Sequence, residues 1–144
     1  MSQIGLGVMI NELFGSNSES LAALSSAANR EISKIEILTD LDPQRLELTF
    51  SDGSKLTLAD WGQSCCEYRH MSTDDDLNYY LGAKFLKVEI ENGPNFEGDD
   101  DHEQQFMRIY TDRGVFVMVN HNEHNGYYGG FSVGASFLPP QEAK

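Results

Sequence analysis

Leu46–Leu58 reads LELTFSDGSKLTL. Leu46, Leu48 and Phe50 alternate with polar residues, Ser51-Asp52-Gly53-Ser54 interrupts, and Leu56 and Leu58 resume the alternation. A period of two puts every leucine on one side of an extended chain. Asp-Gly between two such runs marks a hairpin, because the turn needs a positive φ that glycine adopts without steric cost. A hairpin with one apolar face requires a second layer to cover it, so this stretch already places the chain among β-rich folds.

The same period holds on both sides. Ile35 and Ile37 alternate with polar neighbours before it, and a second hairpin follows: Phe106 to Thr111, the turn Asp112-Arg113-Gly114, then Val115 to Val119. The run GVFVMVN is apolar in both phases, which predicts a central strand covered on each side. Ser64–Arg69, Lys84–Glu91 and Tyr127–Val133 are further strand candidates. The segment STDDDLNYYLG reads as a short helix with Ser72 or Thr73 as N-cap and Asp74, Asp75 and Asp76 in its first turn. Asn92–Glu103, rich in acid, Gly and Pro, reads as a solvated loop.

The first thirty residues differ. Met9, Ile10, Leu13 and Phe14 recur at helical spacing and Gly15 ends that turn. Ser16 and Glu19 have capping-box spacing, and the Ala-rich run after them predicts a helix over Ser18–Arg30 with Leu21, Leu24 and Ala28 on one face. Its small residues permit close approach to another surface, the chain's own sheet before a second copy. The expected architecture is α+β: an antiparallel or mixed sheet of about seven strands with an N-terminal helix packed on it. Residues 1–30 form the helical segment, 31–138 a single β-rich domain, and 139–144 a disordered tail.

Charge narrows the function classes. The 144 residues carry 10 Lys and Arg against 23 Asp and Glu, a net charge of -13. The basic residues are scattered, no two closer than Lys84 and Lys87, so the counterion-displacing patch of a general nucleic-acid binder is missing, as is a surface for anionic membranes. Forty per cent hydrophobic residues still suffice for a packed core, so the acidity does not mean disorder. No apolar run approaches the roughly 18 residues of a membrane span. The N-terminus has no basic residue before its short apolar run, unlike a secretory signal. Cys65 and Cys66 are adjacent, where a disulfide is strained, which points to a reduced, cytoplasmic protein.

The densest set of chemical groups is His121-Asn122-Glu123-His124-Asn125-Gly126, followed by Tyr127-Tyr128-Gly129-Gly130-Phe131. His121, Glu123 and His124 are metal-ligand types, but on an extended segment His121 and Glu123 share one face and His124 takes the other. A metal site therefore needs a tight turn and a further ligand from Asp112, His102 or Cys66. The plainer readings are a polar strand end that satisfies turn backbone, or a pocket without metal. Glycines beside aromatic rings let a flat ligand approach the backbone while a ring stacks on it, and they also occur at strand bends for structural reasons. In Gly62-Gln63-Ser64-Cys65-Cys66-Glu67 a thiol nucleophile would need a nearby cation, and an unactivated Cys is simply a small core residue. His70 reads as a surface or satisfied histidine. Asp99-Asp100-Asp101-His102-Glu103 lacks the spacing of a calcium loop. There is no phosphate-binding or dinucleotide fingerprint.

Gln63, Cys65, Cys66 and Glu67, then Leu77 and Gly82, then Asn125, Gly126, Tyr127 and Tyr128 form the pattern Q-x-C-C-E, L…G, N-G-Y-Y. Over about Ile32 to Val133 it resembles the domain-of-unknown-function family DUF7448. The chain departs from the family pattern at VNHNEH, so the resemblance implies no role for His121 or His124. It implies a small cytosolic domain found in phage genomes, working in the host cytoplasm, of the kind that binds a host protein or sequesters a host signal. It implies no chemistry.

These readings make a non-catalytic binding module the leading expectation. It has no cofactor, forms a homo-oligomer, and takes a small polar or nucleotide-like ligand. Its site residues are His121, His124, Asn125, Tyr127 and Tyr128 together with Gln63, Glu67, Arg69 and Arg108, the arginines supplying charge. One alternative is a metal-dependent hydrolase using His121, Glu123 and His124. Another is an acidic protein that binds a basic host surface or imitates DNA charge. The first expectation depends on residues 63–69 and 121–131 sharing one concavity.

Overall fold

The computed structural model describes residues 17–41, 44–60, 67–96, 101–124 and 133–140. Helix α1 spans Asn17–Ala27. The strands are β1 (Ile32–Leu38), β2 (Arg45–Phe50), β3 (Lys55–Asp60), β4 (Glu67–Ser72), β5 (Phe85–Phe96), β6 (Asp101–Thr111), β7 (Gly114–His124) and β8 (Val133–Leu138). A 3₁₀ turn at Leu77–Tyr80 lies between β4 and β5. The strands form two four-stranded sheets, in the orders β1-β2-β3-β8 and β4-β7-β6-β5, and every described pairing is antiparallel. The single sheet of about seven strands is therefore corrected to eight described strands in two sheets.

The leucine hairpin forms as its alternation predicts. Leu46, Leu48, Phe50, Leu56 and Leu58 are all buried, each worth about 1.5–3 kcal/mol of apolar transfer. Leu46 stands opposite Leu58 and Leu48 opposite Leu56. Gly53 takes φ +89° in the turn. The Asp52 carboxylate accepts from the Ser54 backbone N–H at 2.9 Å and from its hydroxyl at 2.5 Å, and it also pairs with Arg30. These donors, the Ser54 hydroxyl foremost, hold the Asp52 carboxyl below its usual range.

The second sheet contributes Val88, Ile90, Met107, Ile109, Phe116 and Met118 to the same core. The sheets join where Glu31 bridges Lys84: Ile32 N–H donates to Ala83 at 2.8 Å and Phe85 N–H to Arg30 at 3.0 Å. Helix α1 covers β8, with Ala23, Leu24 and Ala27 buried and the Ser20 hydroxyl accepting from Ala135 N–H at 3.3 Å. It ends earlier than Arg30 because Asn29 adopts φ +69° and gives its N–H to Phe85. Its packed face uses Ala27, while Ala28 is only half-buried. The candidate helix at Met9–Phe14, with Gly15 and the Ser16 cap, lies outside the described residues.

Three further expectations are corrected. Most of Asn92–Glu103 is strand: β5 runs to Phe96 and β6 starts at Asp101. Pro94, which cannot donate to a ladder, falls at a register shift between Asn92 and Asn95. Ser72 and Thr73 do not cap a helix. Ser72 ends β4, and the Thr73 hydroxyl donates to the Val117 carbonyl at 2.6 Å. Asp76 caps the 3₁₀ turn instead, and Asp75 accepts from Val117 N–H. Strand β7 is central in its sheet as GVFVMVN predicts, but only one face is covered. Phe116 and Met118 are buried, Val117 and Val119 are half-buried, and Val115 is exposed. Among the described residues no helix is long and apolar enough to cross a membrane.

Candidate functional site

Strands β4 and β7 are neighbours, so residues about fifty apart in sequence stand side by side. The register pairs Tyr68 with Glu123, His70 with His121 and Ser72 with Val119. Alternation sends these side chains to the solvent face and sends Met71, Met118 and Asn120 to the interior. Directly opposed side chains on one face are about 4.5–5.5 Å apart at Cβ, which is stacking distance for flat rings.

The rings do stack. His70 lies on His121 with centroids 4.3 Å apart and planes within 5°, and Tyr68 lies on His70 at 4.5 Å and 18°. The edges of the column are held by hydrogen bonds. His70 Nε2–H donates to the Glu123 carboxylate at 2.9 Å, and the Ser72 hydroxyl meets His121 Nε2 at 2.8 Å. Tyr68 is 56% exposed, His70 and His121 are half-buried, and Ser72 and Glu123 are exposed. The result is a column of three rings open to solvent, with a hydroxyl at one end and a carboxylate beside it.

On β5 and β6 this face also carries charged residues that pair among themselves. Tyr110 OH donates to Glu89 at 2.5 Å, Lys87 bonds Glu89 at 3.2 Å and sits over the Tyr110 ring, and Arg108 pairs with Glu91. The Tyr110 bond, then Lys87 and Arg108, outweigh partial burial and hold the Glu89 carboxyl below its usual range. The same bond pushes the Tyr110 phenol up. Arg108 stands opposite Val117 and is committed to Glu91, so it does not supply charge at His121.

On the inner side the hairpin β6–β7 changes character along its length. Beyond Met107 and Met118 the buried residues are Gln105, Asn120 and Asn122. Asn120 Nδ2 donates to Gln105 Oε1 at 3.3 Å, while Asn120 Oδ1 is buried with no hydrogen-bond partner among the described residues.

Of the residues expected at the site, His121 lies in the column and Glu123 is hydrogen-bonded at its edge. Arg69 stands in register with Asn122, and Glu67 with His124. Gln63, Cys65, Cys66, Asn125, Tyr127 and Tyr128 lie outside the described residues. The tight turn needed by a metal set of His121, Glu123 and His124 is not formed, because β7 stays paired through His124. Among the described residues no group of three or more His, Cys, Asp or Glu is placed to hold a metal ion. Tyr68, His70 and Ser72 were missed as site residues. Their common phase on Glu67–Ser72 was the available signal, but its meaning depends on which strand lies alongside.

Fold and surface together define a small β domain of two antiparallel sheets with a ring-bearing face. The chain belongs to the family described as Domain of unknown function (DUF7448), whose model matches residues 25–133. No curated protein and no solved structure matches it.

Proposed function

We propose that the protein is a small binding module that uses the β4–β7 face to hold a flat, polar ligand of the nucleobase kind. The observation that carries this reading is the cross-strand stack of Tyr68, His70 and His121, with Tyr68 largely exposed. A ring added to such a column gains stacking energy, and Ser72 and Glu123 offer hydrogen-bonding groups at its edges. The acidic chain disfavours polyanions, so a nucleoside fits better than a nucleotide with several phosphates. A cytoplasmic setting and an accessory role in a phage-infected host belong to this reading, as does self-association.

The test is an NMR titration of the intact protein with nucleosides. The expected result is saturable shifts in the rings of Tyr68, His70 and His121. Tyr68→Ala should weaken binding roughly tenfold, the worth of one stacked ring. Absence of shifts at millimolar nucleoside, or binding unaltered in Tyr68→Ala, would refute it.

A further inference from the structure

We propose that Ser72 is a nucleophile, with His121 as its general base, and that it accepts an acyl group from an activated ester. A serine hydroxyl is inert at its own pKa and becomes reactive when a base within hydrogen-bond reach removes its proton. Ser72 Oγ is 2.8 Å from His121 Nε2, inside that reach, and Ser72 is exposed to an incoming electrophile. With the ring proton on Nδ1, His121 Nε2 accepts from the hydroxyl.

The surroundings favour both the aim of His121 and the charge it acquires. Its ring is held within 5° of parallel to His70, which fixes the plane in which Nε2 points. His70 is itself tied by Nε2–H to the Glu123 carboxylate at 2.9 Å. When His121 takes the serine proton, the new imidazolium lies against the π face of His70, one ring away from a carboxylate. His70 is thus a positioning residue.

In the reaction the Ser72 oxygen bonds to the ester carbonyl carbon and the carbon–oxygen bond to the leaving group breaks. The leaving group departs as an aryl oxide, and the serine proton passes to His121 Nε2 and then to solvent. Nothing is oxidised or reduced. The described residues supply a nucleophile and a base, so the expected outcome is stoichiometric acylation. This inference shares the face of the binding reading but does not require a stacked ligand.

The probe is p-nitrophenyl acetate with the intact chain, read by peptide-mapping mass spectrometry and by nitrophenolate release. One acetyl group on Ser72 is expected. It is lost in Ser72→Ala, moved to sulfur in Ser72→Cys, and formed roughly a hundredfold more slowly in His121→Gln. His70→Phe, which keeps a flat ring against His121, should retain the rate, whereas His70→Ala lowers it. Acetylation confined to amines, or Ser72 labelling as fast in His121→Gln as in the parent, overturns the proposal. Labelling of Ser72 in a chain that binds no nucleoside would support this inference while refuting the binding reading, so the two can fail separately.

Discussion

The hairpins β2–β3 and β6–β7 begin alike and finish differently. Both are antiparallel, both have an aspartate and a positive-φ glycine at the turn (Asp52 and Gly53, Asp112 and Gly114), and both bury one phase of their strands. In β2–β3 every inward residue described above is apolar, from Leu46 to Leu58. In β6–β7 the inward phase starts as Ile109, Phe116, Met107 and Met118, then turns to Gln105, Asn120 and Asn122. Its outward phase turns at the same level, from valines to His121 and Glu123. A buried amide oxygen without a partner costs about 1–3 kcal/mol, and Asn120 Oδ1 has none among the described residues. Apolar and polar core residues are thus divided between two hairpins, and along the length of one.

The comparison breaks most readily at the leucine hairpin. Leu58→Ala should cost about 2–5 kcal/mol in urea unfolding, because a fully buried side chain leaves a cavity. The matching change in the amide row is Asn120→Leu. It removes the buried Oδ1 at similar volume but also takes the Asn120 donor from the buried Gln105 Oε1, so the two effects offset and stability should change by no more than about 1 kcal/mol. A loss as large as that of Leu58→Ala would make the amides structural and erase the contrast between the hairpins.

The smallest effect lies in the first turn. Asp52 has its folded carboxyl pulled below the ordinary value by the Ser54 hydroxyl, the Ser54 N–H and Arg30. Its contribution is therefore complete above the unfolded value and lost as pH falls through the lower folded one. Stability measured downward from about pH 4 should fall less steeply in Asp52→Asn than in the parent. Equal slopes would mean that the turn is indifferent to this carboxylate.

Local chemistry made much of the fold legible. Asp52-Gly53 and Asp112-Arg113-Gly114 announced both hairpins, and period-two leucines announced the core. The length of β5 and β6 was hidden because Asn92, Pro94 and the acids after it have loop-like composition. In the structure Asn92, Asn95 and Phe96 are held by pairing with Gln105, Glu103 and His102 rather than by their own propensity. The helix's C-terminal limit falls three residues short of Arg30, at Ala27, since only the backbone shows Asn29 turning left-handed.

The site was legible in part. His121 and Glu123 were found from residue type, and their shared face followed from alternation. His70 passed as an ordinary surface histidine because its significance comes from standing opposite His121, a pairing across about fifty residues that periodicity does not reveal. Arg108 was an attractive charge on composition alone, and Glu91 on the adjacent strand takes it.

The central claim is that β4 and β7 assemble their rings into one receptive column. The most direct measurement is a nuclear Overhauser spectrum of the aromatic side chains, recorded without and with a nucleoside. The account predicts cross-peaks from His70 to both Tyr68 and His121, and ligand-to-Tyr68 cross-peaks on addition. Ring protons of His70 and His121 that show no mutual contact, or a nucleoside that contacts none of the three rings, would contradict it.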